Sequence, residues 1–423
     1  MNLFFETPSD ANYFCGYYDK SPINVDNSKL LALRTNFIDH IPNRNDIATI
    51  GYFDLNSNDK IFHTLSETNS FNWQQGCMLQ WYGNKKDEII FNKFVDNKFV
   101  SVILNISTKI EKIYNFPIYA LSSDCKFALT IDFERHYWCR RAYSYDGVIN
   151  PIKNKPIVKN DGIYKLSFLD NSIKLLITIE EILKINPLSS FLGATHYLEH
   201  IMISPTNTRF AFMHRWKVDG VIFTRLYTAD LEGNNIFCLN DSGRMSHFCW
   251  INHETIFGWG GVKTKFTKFR MTNNFAKSKV YKFILNIYKW LVKGNSDSGM
   301  SKVSSLITND RYIIFKDKSG ILNTIDHSKL DRDGHPSARP NNFQEIITDT
   351  YPDDKQSQQL ILYNFISGSK MIIDSVLTTT EYNFSPNRCD LHPKWSFDGK
   401  YVSVDTLIDG IRGVRIYLIL DEY

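Results

Sequence analysis

The stretch CDLHPKWSFDGKYVSVD, residues 389–405, combines a tight turn with the strand that follows it. Residues Ser396 to Gly399 include the Asp-Gly pair typical of a turn, and an alternating apolar run begins at Tyr401. His392 stands four residues before the serine of this turn. The same arrangement of histidine, turn and strand returns elsewhere in the chain, and this recurrence predicts the fold.

Three further segments begin with a histidine and continue into a turn and an apolar strand. They are HIMISPTNTRFAFMHRW, HFCWINHETIFGWGG and HPSARPNNFQEIITDTYPD, which open at His200, His247 and His335. Three earlier units share the frame without the histidine, and the residues near its position are Tyr17, Gln75 and Ile118. The chain therefore contains seven units of similar construction.

Each unit carries short strands bounded by Gly, Asn, Asp and Pro, recurring at intervals of roughly 45 to 90 residues where insertions lengthen a unit. A single small sheet cannot bury both of its faces, so such units must stack into a ring. The pattern predicts an all-β fold, a seven-bladed β-propeller formed as one domain by residues 1–423. We expect one chain terminus to supply the closing strand, and the sequence does not say which.

Composition narrows the function classes. The 423 residues carry a formal charge of only +4, which gives no reason to expect a nucleic-acid partner. Seven scattered cysteines without a CxxC pair favour free thiols over a disulfide framework or a zinc ribbon. The N-terminal residues have no basic, apolar leader pattern, so we expect a cytoplasmic protein acting on an intracellular substrate.

In a propeller, equivalent positions of successive blades surround one axis. We therefore expect the imidazoles of the four histidines to share a space at one mouth of the channel: His200, His247, His335 and His392. Imidazoles grouped with a carboxylate suit a divalent metal, and Asp390 lies two residues before His392, on the same side of an extended segment. The alternative is that each histidine only bonds neighbouring backbone.

The predicted ligands of such a metal are His247, His335 and His392, with Asp390 or Asn387 added. Manganese, iron or zinc would suit these ligands. Further polar residues should collect at the same mouth: Arg135, Arg140, His214, Arg215, Arg244, Tyr351 and Arg388. Arginines bind carboxylates through two parallel hydrogen bonds, which predicts an anionic ligand. Solvated strand ends or salt bridges between blades would explain the same residues without a ligand.

Two parts of the chain resemble a known family. The segments FMHRW and SHFCW resemble the fourth and fifth blades of the oligogalacturonate lyases, and HPKWSFDGKYV resembles a segment of their last blade. The chain as a whole resembles a seven-bladed propeller of the oligogalacturonate-lyase or TolB type. The resemblance implies a metal-dependent lyase that cleaves uronate-containing oligosaccharides or polysaccharides by β-elimination, with manganese as the usual metal.

The resemblance also implies roles for particular residues. His247 and His392 match metal ligands of the family, and His214 matches its base, with Arg215 or an arginine of the segment RHYWCRR steering the substrate carboxylate. We place His200 with His214 and Arg215 in the catalytic set. The substrate-binding set consists of Arg135, Arg140, Arg244, Tyr351 and Arg388. Asp390 and Asn387 stand where the family has a histidine and a glutamine. This departure bears on the identity and affinity of the metal.

The segment 276–295 breaks the rhythm of strands. Its apolar residues recur at helical spacing between lysines, which predicts an amphipathic helix within an insertion at residues 270–300 of the fifth blade. The helix could be a lid or a contact with a second copy of the chain. Residues 276–293 could instead bind the anionic inner face of a membrane.

Two rival functions remain open at this point. One is a propeller that binds a glycan or a protein without catalysis, because a propeller fold alone does not specify an activity. The other is a glycoside hydrolase or a glycosyltransferase of surface-polysaccharide metabolism. Hydrolysis calls for two facing carboxyl groups, and the candidates are Glu134 with Asp349 or Asp390.

Overall fold

Seven four-stranded antiparallel sheets follow one another along the chain, as the repeat predicts. The structure is a computed structural model, and it describes residues 2–147, 150–272, 309–379 and 385–420. Sheets one to six each use four strands that are consecutive in the sequence. The chain therefore forms a seven-bladed β-propeller.

The first three blades contain strands β2 to β13. Blade 1 consists of β2 (Asn12–Phe14), β3 (Lys29–Thr35), β4 (Ala48–Asp54) and β5 (Phe62–Thr68). Blade 2 consists of β6 (Gln80–Trp81), β7 (Glu88–Val95), β8 (Lys98–Asn105) and β9 (Glu111–Tyr114). Blade 3 consists of β10 (Ala120–Leu121), β11 (Phe127–Ile131), β12 (Gly162–Ser167) and β13 (Ile173–Thr178).

The next three blades contain strands β14 to β25. Blade 4 consists of β14 (Thr195–Ile203), β15 (Arg209–Val218), β16 (Val221–Asp230) and β17 (Phe237–Gly243). Blade 5 consists of β18 (Met245–Trp250), β19 (Thr255–Gly261), β20 (Asp310–Lys316) and β21 (Gly320–Thr324). Blade 6 consists of β22 (Ser337–Ala338), β23 (Glu345–Asp349), β24 (Ser357–Asn364) and β25 (Lys370–Leu377).

The seventh blade joins the two ends of the chain. It consists of β26 (Lys394–Trp395), β27 (Tyr401–Ile408), β28 (Ile411–Leu418) and the N-terminal strand β1 (Asn2–Glu6). Strand β1 pairs with β28 from Asn2 opposite Leu418 to Glu6 opposite Arg415. The N-terminus therefore supplies the closing strand, as the outermost strand of the last sheet.

Residues 389–405 include strand β26, the turn and the start of β27, which form the inner hairpin of blade 7. Asp398 accepts a hydrogen bond from the Ser396 hydroxyl at 2.6 Å, and Gly399 adopts a φ of 71° that a residue with a side chain rarely adopts. The turn places β26 beside β27, with Trp395 opposite Val402. His392 lies just before β26 and so at the axis of the ring.

Apolar side chains from adjacent sheets fill the spaces between blades. One such cluster joins blades 1 and 2 through fully buried residues that include Phe14, Leu33, Ile89 and Val102. Burial of this kind is what makes the stack of sheets stable. All seven cysteines are free thiols.

Among the described residues, three α-helices interrupt the sheets: α1 (Phe133–Cys139) in blade 3, α2 (Ile179–Lys184) after blade 3, and α3 (Lys265–Arg270) in blade 5. Helix α1 is capped by Asp132, whose carboxylate accepts the backbone N–H of Arg135 at 3.1 Å. Helix α3 ends where the predicted insertion begins. The amphipathic helix expected over 276–293 lies outside the described residues. No helix in the described ranges is long and apolar enough to cross a membrane.

Candidate functional site

Each blade sends a polar side chain toward the axis near one mouth of the channel. The four histidines expected there are indeed neighbours, and the centroids of their rings are 6.0 Å apart between His200 and His247, 4.2 Å between His247 and His335, and 4.3 Å between His335 and His392. All four residues are buried. The shared space proposed from the spacing of the repeat therefore exists.

The first three blades complete the ring without imidazoles. The Tyr17 hydroxyl bonds Nε2 of His200, and the Tyr119 hydroxyl accepts the backbone N–H of His200 at 3.0 Å. Gln75 donates to the Tyr119 hydroxyl at 3.0 Å. In blade 3 the residue with this role is thus Tyr119, one position after Ile118, which the spacing indicated.

Backbone irregularities turn the histidines toward the axis. The ladder between β14 and β15 shifts register between Glu199 and Met202, and His200 in this bulge has a φ of 53°. His392 has a φ of 43°. Residues other than glycine rarely adopt such φ angles, and residues held in this conformation often lie at functional sites. The bulge is a signal of position that spacing alone did not supply.

Carboxylates orient two of the imidazoles. Asp349 accepts Nδ1–H of His335 at 2.9 Å, and it also accepts the backbone N–H of His392 at 3.2 Å. Asp333 lies 3.2 Å from Nδ1 of His247. A carboxylate on one ring nitrogen leaves the lone pair of the other nitrogen available, which is the usual support of a metal-bound histidine. Sequence reasoning missed these roles of Asp333 and Asp349.

Three ligand groups meet closely enough to hold one ion. The candidate ligand atoms of His335, Asp390 and His392 all lie within 4.8 Å of one another. Nε2 of His392 is buried, and no hydrogen-bond partner reaches it within the ranges described. An unpartnered buried nitrogen is costly, so this atom fits a metal ligand. The ring of His247 lies beside that of His335, with 4.2 Å between ring centres.

Burial keeps the imidazoles in the form that binds metals. It holds the pKa of His392 and the pKa of His247 well below the ordinary histidine value. Burial also acts to lower the pKa of His335, but the Asp349 carboxylate more than offsets it, and the pKa of His335 is raised. A divalent ion that bound His335 would displace that proton.

Arginines surround the histidine cluster. Arg388 pairs with the carboxylate of Asp390 through two nitrogens, at 3.0 and 2.9 Å. It also donates to the Tyr143 hydroxyl at 3.1 Å. The guanidinium of Arg388 lies 5.6 Å from the ring centre of Tyr351, and that ring lies 5.7 Å from the ring of His335. Tyr351 and Arg388 are thus placed beside the candidate metal ligands.

Two further arginines share a carboxylate that sequence reasoning missed. Glu199 is fully buried and accepts from Arg140 at 2.6 Å and from Arg215. Burial alone would raise the pKa of Glu199, but the two guanidinium groups hold it well below the ordinary range. Glu199 lies directly before His200 in the sequence, and this adjacency to an axial residue was the available signal. Arg244 pairs with Asp310 at 2.5 Å on the neighbouring blade.

Three of the predicted site residues lie apart from the cluster. Arg135 donates to Asp161 at 3.1 Å and to the backbone oxygens of Lys153, Pro156 and His196, which anchors the α1 segment. Asn387 donates its amide to the backbone oxygen of Ile38 at 2.8 Å. The substrate role of Arg135 and the ligand role of Asn387 stay predictions, and our proposal does not use them.

His214 is the third of these residues. Its side chain is 0% exposed, it contacts Nδ1 of His196 at 3.0 Å, and it stacks against Trp216 with 5.4 Å between ring centres. The alternative pair of hydrolytic carboxylates is also separated. Glu134 lines a cleft beside blades 2 and 3, whereas both oxygens of Asp349 serve the axial histidines.

Comparison with known proteins identifies the fold. No family model matches the chain, and no curated protein matches it in sequence. An oligogalacturonate lyase solved in complex with manganese superposes with a TM-score of 0.62 at 13% identity, over 99% of this chain and 93% of that one. An oligogalacturonate lyase from Vibrio parahaemolyticus superposes with a TM-score of 0.57 at 12% identity, over 98% of this chain and 92% of that one.

The chain is therefore a seven-bladed β-propeller with a polar cluster of histidines and carboxylates at its axis. In particular, it has the fold of the oligogalacturonate lyases. At such low identity the likeness establishes the fold and not the activity.

Proposed function

We propose that the protein is a metal-dependent carbohydrate-active enzyme, a lyase that cleaves uronate-containing oligosaccharides or polysaccharides by β-elimination. One observation carries the proposal: the ligand cluster of His335, Asp390 and His392 lies beside arginines that suit a carboxylate. β-Elimination from a uronate removes a proton from the carbon next to the substrate carboxylate. A divalent ion bound to that carboxylate makes the proton more acidic. The oligogalacturonate lyase of the same fold, solved with manganese, supports the same chemistry.

The metal we propose is manganese, with zinc and iron as the alternatives. The donor set of imidazoles and one carboxylate fits all three ions. When bound, such an ion supplies a Lewis acid that polarises the substrate carboxylate and makes the neighbouring C–H more acidic. The residues that would hold it are His247, His335, His392 and Asp390.

The arginines position the substrate. Glu199 accepts from one nitrogen of Arg140 and one of Arg215, and each guanidinium carries five N–H donors. The two groups are thus held side by side with further donors for a second carboxylate, that of the uronate. The Arg388 guanidinium lies over the ring of Tyr351, beside the candidate metal ligands. Positioning of this kind lowers the entropic cost of reaction.

The proton transfers fall to neutral groups. Burial raises the pKa of Tyr351 well above that of a free phenol, so this hydroxyl keeps its proton and can donate a hydrogen bond to the departing sugar oxygen. The base role of His214 stays a sequence-based proposal. A His214→Asn variant that keeps its metal and fold but loses turnover would support that role, and one that retains turnover would refute it.

The decisive experiment is a screen of uronate-containing oligosaccharides with added manganese, read by the ultraviolet absorbance of the new carbon–carbon double bond. Hydrolysis gives new reducing ends without this absorbance, and a binding propeller gives neither. We expect absorbance to rise with the wild type and not with a His247→Ala/His392→Ala double variant. Equal rates in both proteins would rule out the proposed site.

The partner we propose is an anionic oligosaccharide or polysaccharide, with no role for nucleic acid. Cytoplasmic action and contact of residues 276–293 with a membrane are proposals as well.

A further inference from the structure

A polar pocket lies between blades 4 and 5, next to the histidine cluster. Its volume is about 190 Å³, and we call it the blade 4–5 pocket. Its walls include Arg215, Thr224, Arg244, Trp259, Asp310 and Asp333. Asp333 is the residue that contacts Nδ1 of His247, so the pocket adjoins the proposed metal ligands.

The size of the pocket fits a single sugar ring. A cavity of about 150 Å³ holds one benzene ring. A pocket of about 190 Å³ therefore accommodates one six-membered ring with its substituents. The indole of Trp259 is held edge-on against Tyr312, with 5.1 Å between ring centres, and provides a firm apolar wall.

The charges of the pocket do not favour a second anion. Arg244 pairs with Asp310 at 2.5 Å, and Arg215 pairs with Glu199, which it shares with Arg140. Asp333 adds a second carboxyl group to these walls. The arginines and carboxylates of these walls thus leave no excess positive charge to attract another uronate.

The pocket instead offers acceptors to hydroxyl groups. Asp310 is 2% exposed, and its Oδ1 is buried with no hydrogen-bond partner in the described part of the chain. Its Oδ2 is held by Arg244, so Oδ1 is fixed in place. A buried carboxylate oxygen without a donor is costly, and a ligand hydroxyl would remove that cost.

Gly261 packs closely against this oxygen. A Cβ atom at residue 261 would lie 3.0 Å from Oδ1 of Asp310 and 3.2 Å from the Ser242 hydroxyl. Such contacts are tighter than ordinary van der Waals contact, so a side chain there would crowd the acceptor.

We propose that the blade 4–5 pocket binds a neutral hexose unit, through hydroxyl groups that donate to Asp310 and Asp333. The binding of a uronate at the histidine cluster rests on the proposed function. That site and the blade 4–5 pocket together identify the substrate as a mixed polymer in which a uronate is joined to a neutral sugar. A chain made of uronates alone would place a carboxylate against Asp310.

The test measures binding without catalysis. Methyl glucosides, galactosides and mannosides, and the matching methyl uronosides, are titrated into the full-length protein in the presence of a chelator and followed by saturation-transfer NMR. We expect saturable binding of at least one neutral glycoside and at least tenfold weaker binding of its uronoside. Asp310→Asn should weaken the neutral glycoside about tenfold, the effect of losing one charged acceptor.

A matched control separates binding from folding. Asp317 pairs with Arg209 and accepts the Thr228 hydroxyl at 2.6 Å, so it is a buried acidic residue of the same blade away from the pocket. Asp317→Asn should leave glycoside binding unchanged. If Asp310→Asn does not fold, Gly261→Ala is the second variant, and it too should weaken binding.

The outcomes divide cleanly. Absence of saturable binding by every neutral glycoside, or equal binding by the wild type and the Asp310→Asn or Gly261→Ala variant, overturns the inference. Tighter binding of the uronosides overturns it as well. Because the chelated protein performs no catalysis, neutral binding with no lyase activity toward any uronate would leave the pocket standing and remove only the proposed function.

Discussion

The two halves of the propeller differ at the axis. Blades 1 to 3 contribute Tyr17, Gln75 and Tyr119, which bond one another or His200. Blades 4 to 7 contribute imidazoles, two of which are oriented by carboxylates. The same position of the same repeat is thus structural on one side of the axis and suited to metal binding on the other.

His200 marks the border between these halves. Its Nε2 faces the Tyr17 hydroxyl and its backbone N–H donates to Tyr119. The hydroxyl groups of the first half therefore occupy Nε2 and the backbone N–H of His200, while Nε2 of His392 is left without a protein partner among the described residues. The seven blades place equivalent residues around the axis. Within the described part of the chain, only blades 4 to 7 offer metal ligands, because the axial residues of blades 1 to 3 are already hydrogen-bonded.

The largest expected effect removes ligands from the second half. The double variant His247→Ala/His392→Ala should lose the bound ion, because the remaining imidazole and carboxylate cannot hold it alone. Metal analysis of the purified proteins should find about one ion per chain in the wild type and background in the variant. Turnover, if the lyase proposal holds, should fall by at least about a thousandfold.

The first half provides the control. Tyr17→Phe/Tyr119→Phe removes two hydroxyl groups from the same ring and should keep the ion. If both double variants lose the ion, the axis is a single unit and the comparison between halves is broken.

The sequence contained much of this arrangement. The histidine spacing was enough to predict seven blades and the meeting of four imidazoles, because a repeat places equivalent residues around one axis. It could not show that β1 closes the ring, since β1 pairs across the whole length of the chain with β28. It also could not show that Asp333 and Asp349 orient histidines, because the number of residues between each carboxylate and its histidine does not recur in the repeat.

A smaller effect is expected when a supporting carboxylate is changed. Asp349→Asn keeps the shape but weakens the acceptor for Nδ1–H of His335, and loss of such a partner typically costs about 10- to 100-fold in metal affinity. Competition with a fluorescent chelator would measure the change. Asp317→Asn, a buried acidic residue in the body of blade 5, is the control and should not alter metal affinity.

An arginine at the mouth should have a smaller effect. Arg388→Lys loses the two-pronged contact with Asp390 and the bond to Tyr143, because lysine is a single point donor. We expect KM for an active uronate substrate to rise about tenfold with kcat changed less. Arg209→Lys alters an arginine paired with Asp317 and should leave KM unchanged. An equal rise in both variants would indicate a general effect on folding.

One physical cause explains why some of the predicted site residues lie apart from the histidine cluster. A strand alternates its faces, so proximity in sequence does not decide whether a side chain turns to the axis or into the blade. His214 and Arg215 are neighbours, yet Arg215 reaches Glu199 while His214 packs beside Trp216. The adjacency of Glu199 to His200 was a signal in the sequence, but the pairing of Glu199 with Arg140 and Arg215 is visible only in the structure.

The smallest expected effect concerns His214, a histidine in the body of blade 4. Burial holds the pKa of His214 well below its ordinary value of 6.5. The unfolded chain therefore binds this proton first, and the stabilisation present above pH 6.5 is lost as the pH falls further. Denaturant titrations of wild type and His214→Gln at pH 7.5 and 5.5 should show that the variant loses about 1 kcal/mol less on acidification. His63→Gln, at an exposed site, should lose as much as the wild type, and an equal loss in all three proteins would contradict the prediction.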